Sequence, residues 1–393
     1  MDDPTPQGGQ FGSGDIWNDV PLFREIQRVL LSSSGPVNWE LARQVGIATA
    51  SSSGEDPHPG AEDLRGFEDA VRLAELQVAG FTDLEPPGDL PKVEAVRRTQ
   101  WVERNLEGLR DVMEAAAAKL GEAVGRAQRE LLPESAESAG VEQLLTQLSP
   151  LLLGTQVGTV LGTLGQQVLG QYDIAIPRPG GAALLFVVPN IARFEKDWSL
   201  DPTEFRTWIA IHEVTHRFEF ARPWALERFR ELLDDFTSTM RLDVEDLRGR
   251  LASLDPADPE AMREVFESDR GMFGPVLDDE QRLKLGRIQA FMAAAEGYGD
   301  HVMHALGARM LPSYARIEEA MRRYRESEQV DPVLERLLGV EVRREQYRLG
   351  RAFCDVVVEA TDEPTLARMW DSAEALPSLP ELGEPRLWLA RSV

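Results

Sequence analysis

The sequence predicts a mostly α-helical protein with a small β-sheet. Three observations lead there. Apolar residues recur at three- and four-residue steps through most of the chain, as in Val102, Leu106, Leu109, Met113, Ala116 and Leu120. Helix-start chemistry is explicit at Asp201-Pro202, with Glu204 three residues after the cap. Only two short stretches, Asp173 to Pro177 and Ala182 to Val188, carry the residues and flanking turns of strands. With 393 residues, 42% of them hydrophobic, the chain can bury a substantial core as one large domain or two intimate ones.

Taken in order, residues 1–14 are rich in Gly, Pro, Gln and Asp, a composition that predicts disorder. A helical N-terminal region is expected over 15–172, with helices at Asp15 to Ser32, Trp39 to Val45 and Ala61 to Ala79 and a longer one starting near Gln100. Pro and Gly cluster in the linkers Ser51 to Gly60 and Glu85 to Lys92. Residues 143–172 carry no charge, and Gly154, Gly158 and Gly162 recur every four positions. Six glutamines interrupt that stretch, so it predicts a buried helix pair with close backbone approach rather than a membrane span. A second region, 173–393, packs against the first. It opens with the two strands, joined through Arg178-Pro179-Gly180-Gly181 as a hairpin, the second of them offering an edge for an extended peptide. Helices then follow at Pro202 to Phe220, Trp224 to Met240, Asp258 to Ser268, Asp279 to Leu306, Leu311 to Arg325 and Val342 to Glu359.

The helix Pro202 to Phe220 carries His212-Glu213-Val214-Thr215-His216. Histidines four apart project from one helix face and can share a zinc ion, and the intervening Glu213 can act as general base on a metal-activated water. The chain has only five histidines, and Ile209, Ala210, Ile211 and Val214 surround the motif with apolar side chains. Catalytic zinc takes three protein ligands and keeps one position open. Glu296 is the preferred third ligand, because it follows the run Phe291-Met292-Ala293-Ala294-Ala295, where an unpaired carboxylate would be costly to bury. Competing candidates are His301 and His304, three apart on the same helix, and Glu219, which is close in sequence to the first pair. Asp300, one turn beyond Glu296, is placed to accept the outer N–H of a ligating histidine. Tyr298, His301 and His304 are candidates for substrate or oxyanion contacts.

The Glu296 to Asp300 spacing resembles the E-x-x-x-D of gluzincin metallopeptidases, in which the Glu binds zinc, although 80 positions separate His216 from Glu296 here. A wider resemblance rests on Leu184 to Ile191, Asp201-Pro202, the histidine motif, Phe220, Pro223-Trp224, Pro36 to Ala42 and Glu296 to Met303. Over roughly residues 16 to 375 the chain resembles the bacterial zincin-like metallopeptidases, hydrolases associated with deazaflavin-cofactor biosynthesis. What the resemblance implies is a zincin-like architecture and a zinc-dependent, peptidase-like fold.

Composition excludes other classes. The 67 acidic against 42 basic residues give a net charge of −25, which disfavours nucleic acid as a partner. The single cysteine, Cys354, rules out an internal disulfide framework. The N-terminus opens Met1-Asp2-Asp3 without a basic segment and apolar run, so the expected location is cytoplasmic. The expected function is a Zn²⁺-dependent metallopeptidase-like hydrolase acting on a peptide or amide. The alternatives are a helical binding or scaffold protein with a structural zinc and a small-molecule amidohydrolase.

Overall fold

The computed structural model describes residues 35–108, 110, 118–119, 136–172, 176–178, 182–239, 279–327 and 340–392. The fold is mostly helical, with one two-stranded sheet among the described residues. The helices expected at Asp15 to Ser32 and Asp258 to Ser268, the segment 1–14, and the later part of the stripe that begins at Val102 lie outside the described residues.

Helix α1 (Trp39–Ser51) starts at Asn38, whose side chain accepts from Leu41 N at 2.9 Å. It lies along α4 (Ala136–Gly165), which is uncharged from Gln143 on. A Cβ at Gly158 would fall 2.5 Å from Ala42 O, and one at Gly154 equally close to Asn38 O, so only glycine lets the two backbones approach this far. The close helix pair is thus as expected, and no described helix is long and apolar enough to cross a membrane. Helix α3, over residues 98–108, closes this smaller core with Trp101, Val102 and Leu106.

The sheet corrects the expected hairpin. Strand β2 (Leu184–Val187) pairs in parallel with β1 (Val93–Val96), in the register Val93↔Leu184 to Val96↔Val187. Of the strand expected at Asp173 to Pro177, residues 173–175 lie outside the described residues, and Ile176 and Pro177 are not in a strand. Parallel pairing needs a long crossover, so β2 finds its partner some ninety positions upstream instead of across a short turn. On its other side Val187 N donates to Leu169 O at 2.9 Å and Gly170 bridges Phe186, which leaves β2 no free edge for a peptide along that stretch. Pro189 comes two residues after the end of β2. It sits in the first turn of α5 (Val188–Asp197), where its fixed φ suits a helix start.

All four β2 residues are buried, and they alternate between two cores. Leu185 and Val187 face the cluster of α1, α3 and α4, whereas Leu184 and Phe186 face the main core. There Phe186 stacks on Phe67 of α2 (Ala61–Thr82) with ring centroids 4.3 Å apart. Both cores draw residues from either side of position 173.

The main core is organised around α6 (Pro202–Phe220), which has the expected bounds and is capped by Asp201 accepting from Glu204 N at 3.0 Å. Fourteen of its 19 residues are buried, so it is a central helix with neighbours on every side. Helix α7 (Pro223–Ser238) follows, and α8 (Asp279–Met310) crosses α6. Helices α9 (Tyr314–Ser327), α10 (Val340–Ala360) and α11 (Glu363–Ala367) follow, then a 3₁₀ turn (Arg368–Trp370), α12 (Leu379–Gly383) and α13 (Pro385–Ser392). Of these, α10 packs along α8.

Candidate metal centre

Helix periodicity puts His212 and His216 one turn apart on α6, with their Nε2 atoms 3.1 Å from each other. Helix α8 brings Glu296 to the same point, its Oε2 3.9 Å from each Nε2. Among the described residues these three form the group of side chains placed to hold a metal ion. His216 is fully buried and Glu296 nearly so, while His212 retains 14% side-chain exposure and forms the opening to solvent.

The outer nitrogens explain why a cation fits. His216 Nδ1 lies 2.7 Å from Glu219 Oε2, and His212 Nδ1 lies 3.2 Å from Glu213 Oε1. Ionised carboxylate oxygens only accept, so each ring donates through Nδ1 and turns a lone pair on Nε2 toward the other ring and toward Glu296. Two facing lone pairs beside a carboxylate repel unless a positive charge lies between them. Zinc with nitrogens at about 2.0–2.1 Å and tetrahedral angles separates them by about 3.3 Å, close to the spacing found, and the two-imidazole, one-carboxylate donor set suits that metal. The residues therefore fit a zinc ion.

In the metal-free site a proton takes the place of the cation. Burial opposes a charge on either imidazole, but at His212 the carboxylates of Glu213 and Glu296 outweigh it and raise the pKa well above the usual value. At His216 burial and the charge of His212 both push the pKa well down, so the pair resists taking two protons. Burial, with the nearby Glu296 carboxylate, raises the pKa of Glu219.

Glu213 is fully buried beside this group. Its Oε2 accepts from Gln171 N and Tyr172 N, each at 2.9 Å. These donors belong to a strap, residues 170–172, laid across the motif helix. A Cβ at position 170 would fall 2.1 Å from Glu213 Oε1, so the strap can pass only with Gly170 there. Tyr172 is buried, its ring 5.8 Å from that of His216. Sequence reasoning missed the strap, whose one local signal is a single glycine in Leu169-Gly170-Gln171-Tyr172.

Of the remaining candidates, the structure brings Glu219 to this point. Glu219, rather than Asp300, accepts from the outer nitrogen of His216; three residues along a helix is a direct reach. Asp300 is partly buried on α8. Tyr298 points into the core with its ring edge-on to Trp370, and burial raises its pKa. His304 is half-buried, with Nδ1 2.8 Å from the Tyr314 hydroxyl and 3.2 Å from Glu318 Oε1. His301 has both ring nitrogens engaged, Nδ1 with Asp355 and Nε2 with Glu363, each at 2.9 Å, and so ties α8 to α10 and α11.

His301 gives a pH-dependent prediction. Burial opposes its charge, but Glu363 and Asp355 outweigh that and raise its pKa. Folding then favours the protonated ring, so its contribution to stability is complete below the unfolded value of about 6.5 and fades as pH rises through the raised folded value. Thermal melts of the parent and His301→Gln are expected to differ most near pH 6 and to converge at higher pH. A gap of constant size would exclude a charged His301.

Two histidines one helical turn apart, a glutamate following the first of them and a carboxylate from a second helix together define the zincin class of metal-binding sites. The family model for zincin-like metallopeptidases matches residues 37–389, and the chain belongs to that family. The chain is also similar to a crystal structure of a candidate hydrolase with a novel fold from Chloroflexus aurantiacus, at 31% sequence identity and a TM-score of 0.64. The match covers 90% of this chain and 98% of that one. No curated protein shows significant similarity to the sequence.

Proposed function

We propose that this protein is a zinc-dependent hydrolase of peptide or other amide bonds, of the gluzincin type. The observation that carries the reading is the convergence of His212 Nε2, His216 Nε2 and Glu296 Oε2 on one buried point, with the Glu213 carboxylate against the outer nitrogen of His212. His212, His216 and Glu296 would hold the ion, and Glu219 keeps His216 in the tautomer that presents Nε2. When bound, zinc supplies Lewis acidity, which brings water into a nucleophilic form near neutral pH. Glu213 would take a proton from the attacking water and deliver it to the leaving amine. The family and the hydrolase relative support the general class; the substrate is our proposal.

One observation favours a second reading, a helical binding protein that keeps zinc for stability: Glu213 is fully enclosed and its carboxylate is already satisfied by two backbone amides. Activity separates the two. The zinc-loaded protein is expected to cleave members of a mixed peptide and N-acyl amide library, with cleavage stopped by a chelator and restored by added zinc. A fully zinc-loaded protein that cleaves none of them contradicts the hydrolase reading and leaves the scaffold.

A further inference from the structure

Helix α3 carries a polar residue where its apolar stripe calls for a hydrophobic one. Asn105 is 1% exposed, between Trp101 and the buried Val102 and Leu106. Burying an amide costs free energy unless its hydrogen bonds are made, and a leucine would pack here without that demand. Every polar atom of the Asn105 side chain is engaged. Its Nδ2 donates to Trp101 O at 2.9 Å, and its Oδ1 accepts from Nη2 of the buried Arg178, whose Nε donates to the Gln171 amide oxygen at 3.1 Å. One turn away, Trp101 Nε1 donates to Gly170 O at 2.9 Å. Two side chains of α3 thus grip two consecutive residues of the strap, and Val187 N fixes the residue before them through Leu169 O.

The strap's backbone in turn holds Glu213. Gln171 is the joint: its side chain is fastened to Asn105 through the Arg178 guanidinium, and its main-chain N–H donates to Glu213 Oε2. We infer that Asn105, with Trp101, is a positioning residue for the Glu213 carboxylate: it sets the strap whose amides fix where that carboxylate sits beside the metal ligands. The inference rests on the reading of Glu213 as the proton acceptor. Misplacement of a reacting group by about 1 Å can lower a rate about 100-fold, so a grip at one remove from the chemistry is enough to matter. The rival role for Asn105 is to satisfy the buried Arg178 guanidinium without affecting how that group holds Gln171, which would leave the strap indifferent to its loss.

The test uses the full-length zinc-loaded protein and the variants Asn105→Leu and Asn105→Asp, the second of which keeps an acceptor for Arg178. Amide hydrogen exchange is read on the peptide covering 169–172. Asn105→Leu is expected to raise exchange there at least about tenfold while leaving α6 and the zinc content unchanged, and Asn105→Asp to stay near the parent. With a cleavable amide, kcat of Asn105→Leu is expected to fall about 10- to 100-fold with little change in KM, and Asn105→Asp to recover most of it. Unchanged exchange at 169–172 in Asn105→Leu overturns the inference, as does an Asn105→Asp variant as impaired as Asn105→Leu. Should Asn105→Leu fail to fold, Trp101→Phe, which keeps an aromatic ring and removes only the donor to Gly170 O, is expected to loosen the same peptide; unchanged exchange in it overturns the inference too. The exchange measurement needs no substrate, so it separates a failure here from a failure of the hydrolase reading.

Discussion

His216→Ala and His212→Ala are expected to be purified without zinc, whereas the parent carries about one zinc per chain. Each imidazole supplies one of three ligands, and two remaining donors do not hold the ion against solvent. Losing His216 also leaves the fully buried Glu219 carboxylate without its partner, a cost of about 1–3 kcal/mol or more in stability. Glu219→Gln keeps the ligand but weakens its orientation, and is expected to lower zinc affinity about 10- to 100-fold. Metal analysis by mass spectrometry and a chelator titration of the four proteins give the order. Full zinc occupancy in His216→Ala would mean that the ion is held elsewhere, and an unchanged affinity in Glu219→Gln would remove Glu219 from the account.

Glu213→Gln is expected to do the reverse: the zinc stays and turnover falls about 10²- to 10⁴-fold, the usual effect of losing a general base. The single amide oxygen can serve either the Gln171 and Tyr172 amides or the His212 ring, not all of them as two carboxylate oxygens do. A loss of about 1 kcal/mol in stability therefore accompanies the change. Kinetics at saturating substrate, paired with metal analysis, decide the matter. If Glu213→Gln released the zinc while Glu296→Gln retained it, the ligand and the base would exchange places.

The parts of this molecule legible in the sequence are those whose causes are local. Helix α6 has its expected bounds because Asp201, Pro202 and Glu204 mark the start within four residues. Helix α1 runs to Ser51, beyond the expected Val45, because Gly46 and Ala50 are small enough to pack against α4 and α3, a tertiary reason that single-helix propensity does not carry. The parallel partner of β2 is not legible because Val93-Glu94-Ala95-Val96 shows little period-two contrast and lies across a long crossover.

The site divides in the same way. His212, Glu213 and His216 form a local pattern, and Glu296 could be reached because a carboxylate after a run of small apolar residues needs a partner. As a ligand Glu219 is disfavoured by its closeness in sequence to the histidine pair. That closeness is what lets it reach His216 Nδ1, while the E-x-x-x-D analogy directed the same role to Asp300. Asn105 and the 170–172 strap act through folding alone, from helix α3 and the segment after α4, and no spacing along the chain announces them.

The most direct test of the account is the coordination of the metal in a crystal structure of the zinc-loaded protein, located by anomalous scattering. The account predicts one zinc per chain held by three protein ligands, His212 Nε2, His216 Nε2 and a Glu296 carboxylate oxygen, with the remaining position exchangeable. A fourth protein ligand would make the site structural, and an ion bound by Asp300, His301 or His304 in place of Glu296 would contradict the assignment itself.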